Sequence, residues 1–96
     1  MFTAITGISH KGGGIAPAST TKILDEDARR GYLCITNRSS THYLFVGFGS
    51  DTNGEATVNE GIAIPPDTMW EWPDTKAQVT VISESGNVPY SYAAGT

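Results

Sequence analysis

Apolar and polar residues alternate over short stretches of this chain from Thr20 onward. In the stretch 32–36, Leu33 and Ile35 alternate with more polar neighbours, and in 43–48 every second residue is Leu44, Val46 or Phe48. A period of two is the pattern of a β-strand that is buried on one face. The second stretch is apolar on its other face as well, so it predicts a strand that is central in a sheet or covered on both sides.

Turn residues rich in Gly, Asn, Asp, Ser and Pro separate these stretches at a spacing close to the ~8–12 residues typical of all-β domains. No window of a dozen residues carries apolar positions at the helical period. The sequence therefore predicts an all-β fold, a small antiparallel β-sandwich, jelly-roll-like or barrel-like, of about seven short strands. The predicted strands cover residues 20–24, 32–36, 43–48, 57–64, 68–72, 77–83 and 88–93.

Residues 1–18 lack a sustained period and contain three consecutive glycines. We interpret them as an irregular N-terminal arm, and residues 19–96 as the β-sandwich domain. Phe2, Ile5 and Ile8 are more apolar than a solvated tail requires, which favours an arm that packs on a neighbouring subunit. A disordered terminus is the alternative.

The stretch GIAIPPDTMWEW, residues 61–72, contains both tryptophans of the chain. Its two prolines cannot donate to a ladder and predict a corner between strands. Alternation places Trp70 and Trp72 on one face and turns Glu71 to the other. Because an aromatic side chain buries about 150–250 Å², so small a domain favours core or a subunit interface for the pair over a sugar platform. With Tyr90 and Tyr92 of the last strand, the tryptophans complete the predicted protein-interface residues.

Composition narrows the classes of partner. The net charge is −4 with six scattered Lys and Arg, so no basic face can neutralise phosphates and we expect no nucleic-acid partner. No run approaches the ~18 apolar residues of a membrane span, the N-terminus does not read as a secretory signal, and we expect no membrane partner. Cys34 is the only cysteine, which excludes an intrachain disulfide and suggests synthesis in a cytosol.

Catalytic chemistry finds no support in the residue pattern. The two histidines, His10 and His42, are distant in sequence from Cys34, whereas nucleophilic catalysis needs a base next to the nucleophile. The adjacent acids of residues 25–27 are typical of a solvated turn rather than of two carboxylates facing across a cleft. Cys and His are too few for a zinc site. We predict a non-enzymatic protein with no catalytic residue, no metal and no cofactor.

The segment from Arg30 to Trp72 contains a strand beginning RGYLCITN, then a YLFVGFG strand, and then a GIAIPP turn that leads to an aromatic strand. With these motifs it resembles small virion proteins of tailed bacteriophages. These proteins often show a strand ending in an I-x-N turn, a Y-V-G-F-G strand and a G-x-x-L-x-P-G turn before an aromatic residue. Asp67 stands where glycine is more usual. The positions that match here are Ile35, Asn37, Val46, Gly47, Phe48, Gly49, Gly61, Ile64 and Pro66.

The resemblance implies a capsid decoration (cement) protein, made in the host bacterial cytoplasm and bound to the head surface of the virion. Its partners would be the major capsid protein and further copies of itself, as a dimer or trimer. Deleting residues 1–14 is then expected to weaken particle binding without unfolding the domain. The alternatives are another virion component, such as a head fibre base, tail part or receptor-binding tip, and a carbohydrate-binding module that uses Trp70 and Trp72.

Overall fold

The computed structural model of the protein describes residues 8–49, 54–58, 60–73 and 75–96. Eight β-strands and no helix form in these ranges. The strands are β1 (Ile8–Ala16), β2 (Thr21–Leu24), β3 (Tyr32–Asn37), β4 (Leu44–Phe48), β5 (Ile62–Ile64), β6 (Met69–Trp72), β7 (Val79–Ile82) and β8 (Val88–Gly95).

The strands build two four-stranded antiparallel sheets. Sheet A has the order β1-β8-β3-β6, and sheet B has the order β2-β7-β4-β5. The pairs β1·β8, β2·β7, β3·β6 and β4·β5 are nested, so the chain is one long hairpin folded over on itself. This is the double-sheet arrangement of a jelly roll, and it confirms the predicted small all-β sandwich.

The core lies between the two sheets. Leu33 and Ile35 of β3 face Leu44 and Val46 of β4, and all four are completely buried. The alternation predicted for both stretches is therefore confirmed. The other completely buried apolar side chains of large volume are Ile64, Val79, Val81 and Val88.

Strand β4 is covered on both faces, as predicted. On the outer face of sheet B, the chain at 54–56 runs directly over Gly47, where an added Cβ would collide with the backbone of Ala56. The Thr80 hydroxyl accepts a hydrogen bond from the Ala56 amide at 2.8 Å, and Ala56 is completely buried. The loop between β4 and β5 therefore covers this part of sheet B.

Strand β1 corrects the prediction of an irregular backbone for residues 8–16. These residues pair with β8 along most of its length and form an edge of sheet A. On the inner face the rings of Tyr90 and Tyr92 lie over Gly14 and Gly12, where an added Cβ would stand 3.4 and 2.9 Å from the two phenol oxygens. Aromatic rings from a neighbouring strand are a known way to cover strand glycines. Sequence periodicity cannot detect such a strand, because its apolar cover comes from β8.

The two prolines form the predicted corner between strands. Pro65 and Pro66 carry the chain from β5 in sheet B to β6 in sheet A. Asp67 follows with φ 54°, the left-handed conformation that favours glycine and that Asp tolerates better than most residues. The aspartate thus adopts the conformation expected of the glycine more usual at this position.

Asn37 fastens this corner to the end of β3. Its side chain is completely buried, and its Nδ2 donates to the carbonyl oxygens of His42 and Ile64, both at 2.9 Å. Its Oδ1 accepts the Ser39 amide at 2.9 Å. One side chain therefore connects the 37–42 turn with the last residue of β5.

Arg30 holds the opposite end of the sandwich. The side chain is 3% exposed, and its guanidinium donates to the carbonyl oxygens of Asp25, Thr75 and Ala77. Since a buried charge needs several hydrogen bonds to offset lost hydration, these carbonyls fix the loops before β3 and before β7 together.

Candidate interaction surfaces

Side chains that could hold a metal ion do not cluster in the described residues. No three His, Cys, Asp or Glu side chains within the described ranges come together in a way that could hold a metal ion. His42 is exposed and hydrogen-bonded to its neighbour Thr41, and the acidic turn at 25–27 faces largely outward. In the described part of the chain, no helix has the length and apolar character needed to cross a membrane.

The tryptophans share one face, as predicted. Trp70 pairs with Ile35 and Trp72 with Leu33 across β6 and β3, so both point to the inner side of sheet A. Their ring centroids are 6.5 Å apart at 27°. Trp72 also meets Phe48 of sheet B edge-on, with centroids 5.2 Å apart. Trp72 therefore closes the sandwich, because it contacts both sheets.

Trp70 is more exposed to solvent than Trp72. It is 43% exposed, and Ile62, on the inner side of edge strand β5, is 37% exposed. Trp70 pairs with Ile35 and Ile62 pairs with Val46, so both side chains face inward from the edge strands β6 and β5. We call the group Phe48, Ile62, Trp70 and Trp72 the β5–β6 seam. Its inward-facing side chains are all apolar, and contiguous exposed apolar surface marks interaction sites in soluble proteins.

The structure describes three of the other predicted interface residues. Phe2 and Ile5 lie outside the described residues, and Ile8 is the first residue of β1. Tyr90 and Tyr92 are half-buried against the core from the inner face of sheet A. Burial, followed by the proximity of Tyr92, raises the pKa of Tyr90. Among the described members of the predicted set, Trp70 and Trp72 therefore belong to the seam, and the two tyrosines pack against the core.

Glu71 has a contact that sequence alone did not indicate. It points to the outer face of sheet A, as predicted, and accepts a hydrogen bond from the Tyr32 hydroxyl at 2.6 Å. This bond is the main reason that the pKa of Tyr32 is raised, because loss of the phenol proton would leave two negative groups in contact. Tyr32 and Glu71 lie on neighbouring strands but 39 residues apart, so no local pattern could pair them.

Cys34 lies beside Glu71 on the same outer face. The thiol is half-buried, and burial is the main cause that raises its pKa. A raised pKa leaves less thiolate, the reactive form.

Comparison with known proteins finds a similar fold but no matching family. No protein-family profile matches the chain, and no curated protein is similar to it in sequence. Its fold is similar to a solved structure of Bacillus endospore appendages, described as a novel family of disulfide-linked pili, with a TM-score of 0.55 at 12% identity. The similarity covers 100% of this chain and 96% of that one. At this identity the likeness concerns the fold.

Proposed function

We propose that this protein is a non-catalytic structural subunit that binds the surface of a larger particle through the β5–β6 seam. The particle is a tailed-phage head, on which the protein acts as a decoration protein and stabilises the shell. The observation that carries the proposal is the exposure of two large apolar side chains, Trp70 and Ile62, on the inner sides of the edge strands β6 and β5.

The seam has the composition of a protein-binding surface. Tryptophan is enriched among the residues that dominate binding energy, especially where a well-packed neighbour holds the ring in place. Here Trp72 supports one side of Trp70 and is itself fixed by Phe48. The jelly roll is also a fold of viral capsid proteins, an analogy that supports this class and does not replace the site.

Particle binding by a decoration protein requires many copies rather than a strong single contact. Each copy needs only a modest interface, because a repeated shell offers many equivalent positions. The seam supplies such an interface, and the net charge of −4 favours the solubility of free copies.

The test is co-sedimentation of the full chain with purified phage heads, with copy number determined by mass spectrometry. We expect a stoichiometry that follows the shell lattice, a marked loss with Trp70→Ser, and no loss with Tyr43→Ser. Tyr43 is a matched control because it is aromatic and 50% exposed, but lies before β4 in sheet B, where its ring stacks with Phe45. Absence of the protein from heads, or equal occupancy by the Trp70 variant, would refute the proposal.

Testing whether the N-terminal arm contributes to head binding requires a shorter deletion than residues 1–14. Because β1 covers Tyr90 and Tyr92, a deletion through Gly14 removes most of an edge strand as well as the arm. Deleting residues 1–7 leaves β1 intact. We expect this variant to unfold at the same temperature as the full chain and to bind heads less tightly.

A fibre subunit is the second candidate, favoured by the similarity in fold to the endospore appendage structure. A fibre subunit polymerises without a shell. Negative-stain electron microscopy of the purified chain separates the two, since a decoration protein alone gives no filaments.

A further inference from the structure

The outer face of sheet A is open in the described part of the chain, unlike that of sheet B. Two rows of outward-facing positions cross all four strands, and Ile15 of β1 and Tyr32 of β3 lie on the same face on either side of these rows. One row runs Lys11, Ala93, Cys34, Glu71 from β1 to β6, and the next runs Gly13, Ser91, Thr36, Met69. An antiparallel sheet with one solvated face normally carries polar and charged residues there. Here charge occurs only at the two ends of the first row.

The ends of these rows are complementary to each other. Lys11 and Glu71 carry opposite charges at opposite edges, and neither forms an ion pair with another described residue. In the second row, Met69 protrudes at one edge, 53% exposed, while Gly13 at the other edge carries no side chain. The middle positions are all small.

A surface with this pattern is complementary to itself. Consider a second copy turned by 180° about an axis that runs along the strands, midway between β8 and β3. The rotation places β6 of the second copy over β1 of the first, and β3 over β8. Lys11 then faces Glu71 of the second copy, and Gly13 faces its Met69, with both contacts occurring twice.

We propose that the outer face of sheet A is a dimer interface between two copies of this chain, related by this two-fold axis. Self-complementarity is the property that a two-fold interface requires. The Tyr32 hydrogen bond holds the Glu71 carboxylate at the edge of the face, so the charged group is positioned before the partner arrives. The small residues at the centre allow the two sheets to approach as in a sandwich.

The size of the face sets the strength of the dimer. Four strands about 4.8 Å apart and six residues of about 3.3 Å each give roughly 400 Å² of projected area per copy. This is about half of a standard interface, which places the dimer among weak, reversible complexes. Its affinity is independent of the seam, although on a particle it would add avidity to the function proposed above.

Charge reversal tests the pairing directly. We expect Lys11→Glu or Glu71→Lys alone to raise the dimer dissociation constant about tenfold, because each creates two repulsive contacts in place of two attractive ones. The double variant restores the attraction and returns the constant to near the original. Sedimentation velocity of the full chain over a concentration series measures all of these. Glu84→Lys, in the exposed turn before β8, is the matched control for net charge and should have no effect.

Cys34 supplies a second measurement that needs no variant. The axis places the two Cys34 Cα atoms about 11 Å apart, from one strand spacing and a sheet separation of about 10 Å. This exceeds the ~7 Å limit for a disulfide. A short bismaleimide should therefore join the two thiols within the dimer, whereas oxidation alone should not.

Three results would overturn the proposal. They are a monomer at all concentrations up to the solubility limit, a double variant as weak as either single one, and a dimer that the bismaleimide does not capture. A dimer lost in Trp70→Ser but not in the charge reversals would move the interface to the seam and equally refute it. If no dimer forms, head binding through the seam persists without the added avidity, whereas loss of head binding leaves the dimer in solution unchanged.

Discussion

Replacing Asn37 with alanine should be among the most destabilising single changes in the described part of the chain. The substitution removes three hydrogen bonds, and it leaves the carbonyl oxygens of His42 and Ile64 and the amide of Ser39 without this partner. At a net contribution of about 1–1.5 kcal/mol per bond, the three bonds together give a loss of about 3–5 kcal/mol. Small domains have only about 5–15 kcal/mol in total.

Urea and thermal unfolding, followed by tryptophan fluorescence and circular dichroism, measure this loss. For a domain of this size 1 kcal/mol shifts the midpoint by about 4–8 °C, so we expect a fall of at least about 12 °C. Asn87→Ala is the control, since Asn87 is an exposed turn residue, and it should change stability by less than about 0.5 kcal/mol. A loss below about 1 kcal/mol for Asn37→Ala would show that the three bonds do not hold the corner.

Asn37→Asp separates hydrogen bonding from volume. The new carboxyl group faces two carbonyl oxygens that it can approach only when protonated, so its folded-state pKa lies above the unfolded value of about 3.9. With a raised folded pKa, the stability of this variant is highest below that unfolded value and falls as pH rises through the folded one. Its stability relative to Asn37→Ala should therefore decrease from pH 4 to pH 7.

Three further predictions concern backbone conformation and the thiol. Asp67 has a positive φ, so Asp67→Gly should leave stability unchanged or raise it by up to about 1 kcal/mol, whereas Asp67→Val should lower it by about 1–2 kcal/mol. Urea unfolding midpoints distinguish the two variants. Gly13→Ala should cost more than Gly12→Ala, because the first Cβ would stand 2.5 Å from a backbone carbonyl and the second 2.9 Å from a movable phenol oxygen; equal losses would contradict the register of β1. Alkylation of Cys34 by iodoacetamide should be slower at pH 8 than that of an unstructured thiol and should rise steeply above pH 9, because burial raises its pKa.

The features of the fold that depend on alternation within one strand could be predicted from local sequence patterns. The faces of β3 and β4, the shared side of the tryptophans and the proline corner all follow from residues next to one another in sequence. Strand β1 could not be predicted in this way, since glycines 12–14 show no period and their cover comes from tyrosines nearly 80 residues later. The Tyr32–Glu71 hydrogen bond and the self-complementary rows could not be predicted from local patterns either. Each depends on which strands the nested topology places side by side.

The tyrosine cover of β1 has a consequence for how this edge can vary. At Gly12 and Gly14 only β8 supplies side chains to the interior, because the rings of Tyr92 and Tyr90 fill the space over the two glycines. Enlarging Gly12 and shrinking Tyr92 should each destabilise the domain, yet Gly12→Tyr combined with Tyr92→Gly returns one ring to the same space from the other strand. The two positions therefore form a single coupled unit, in which the identity of the strand that supplies the ring can be exchanged while the packed volume is kept.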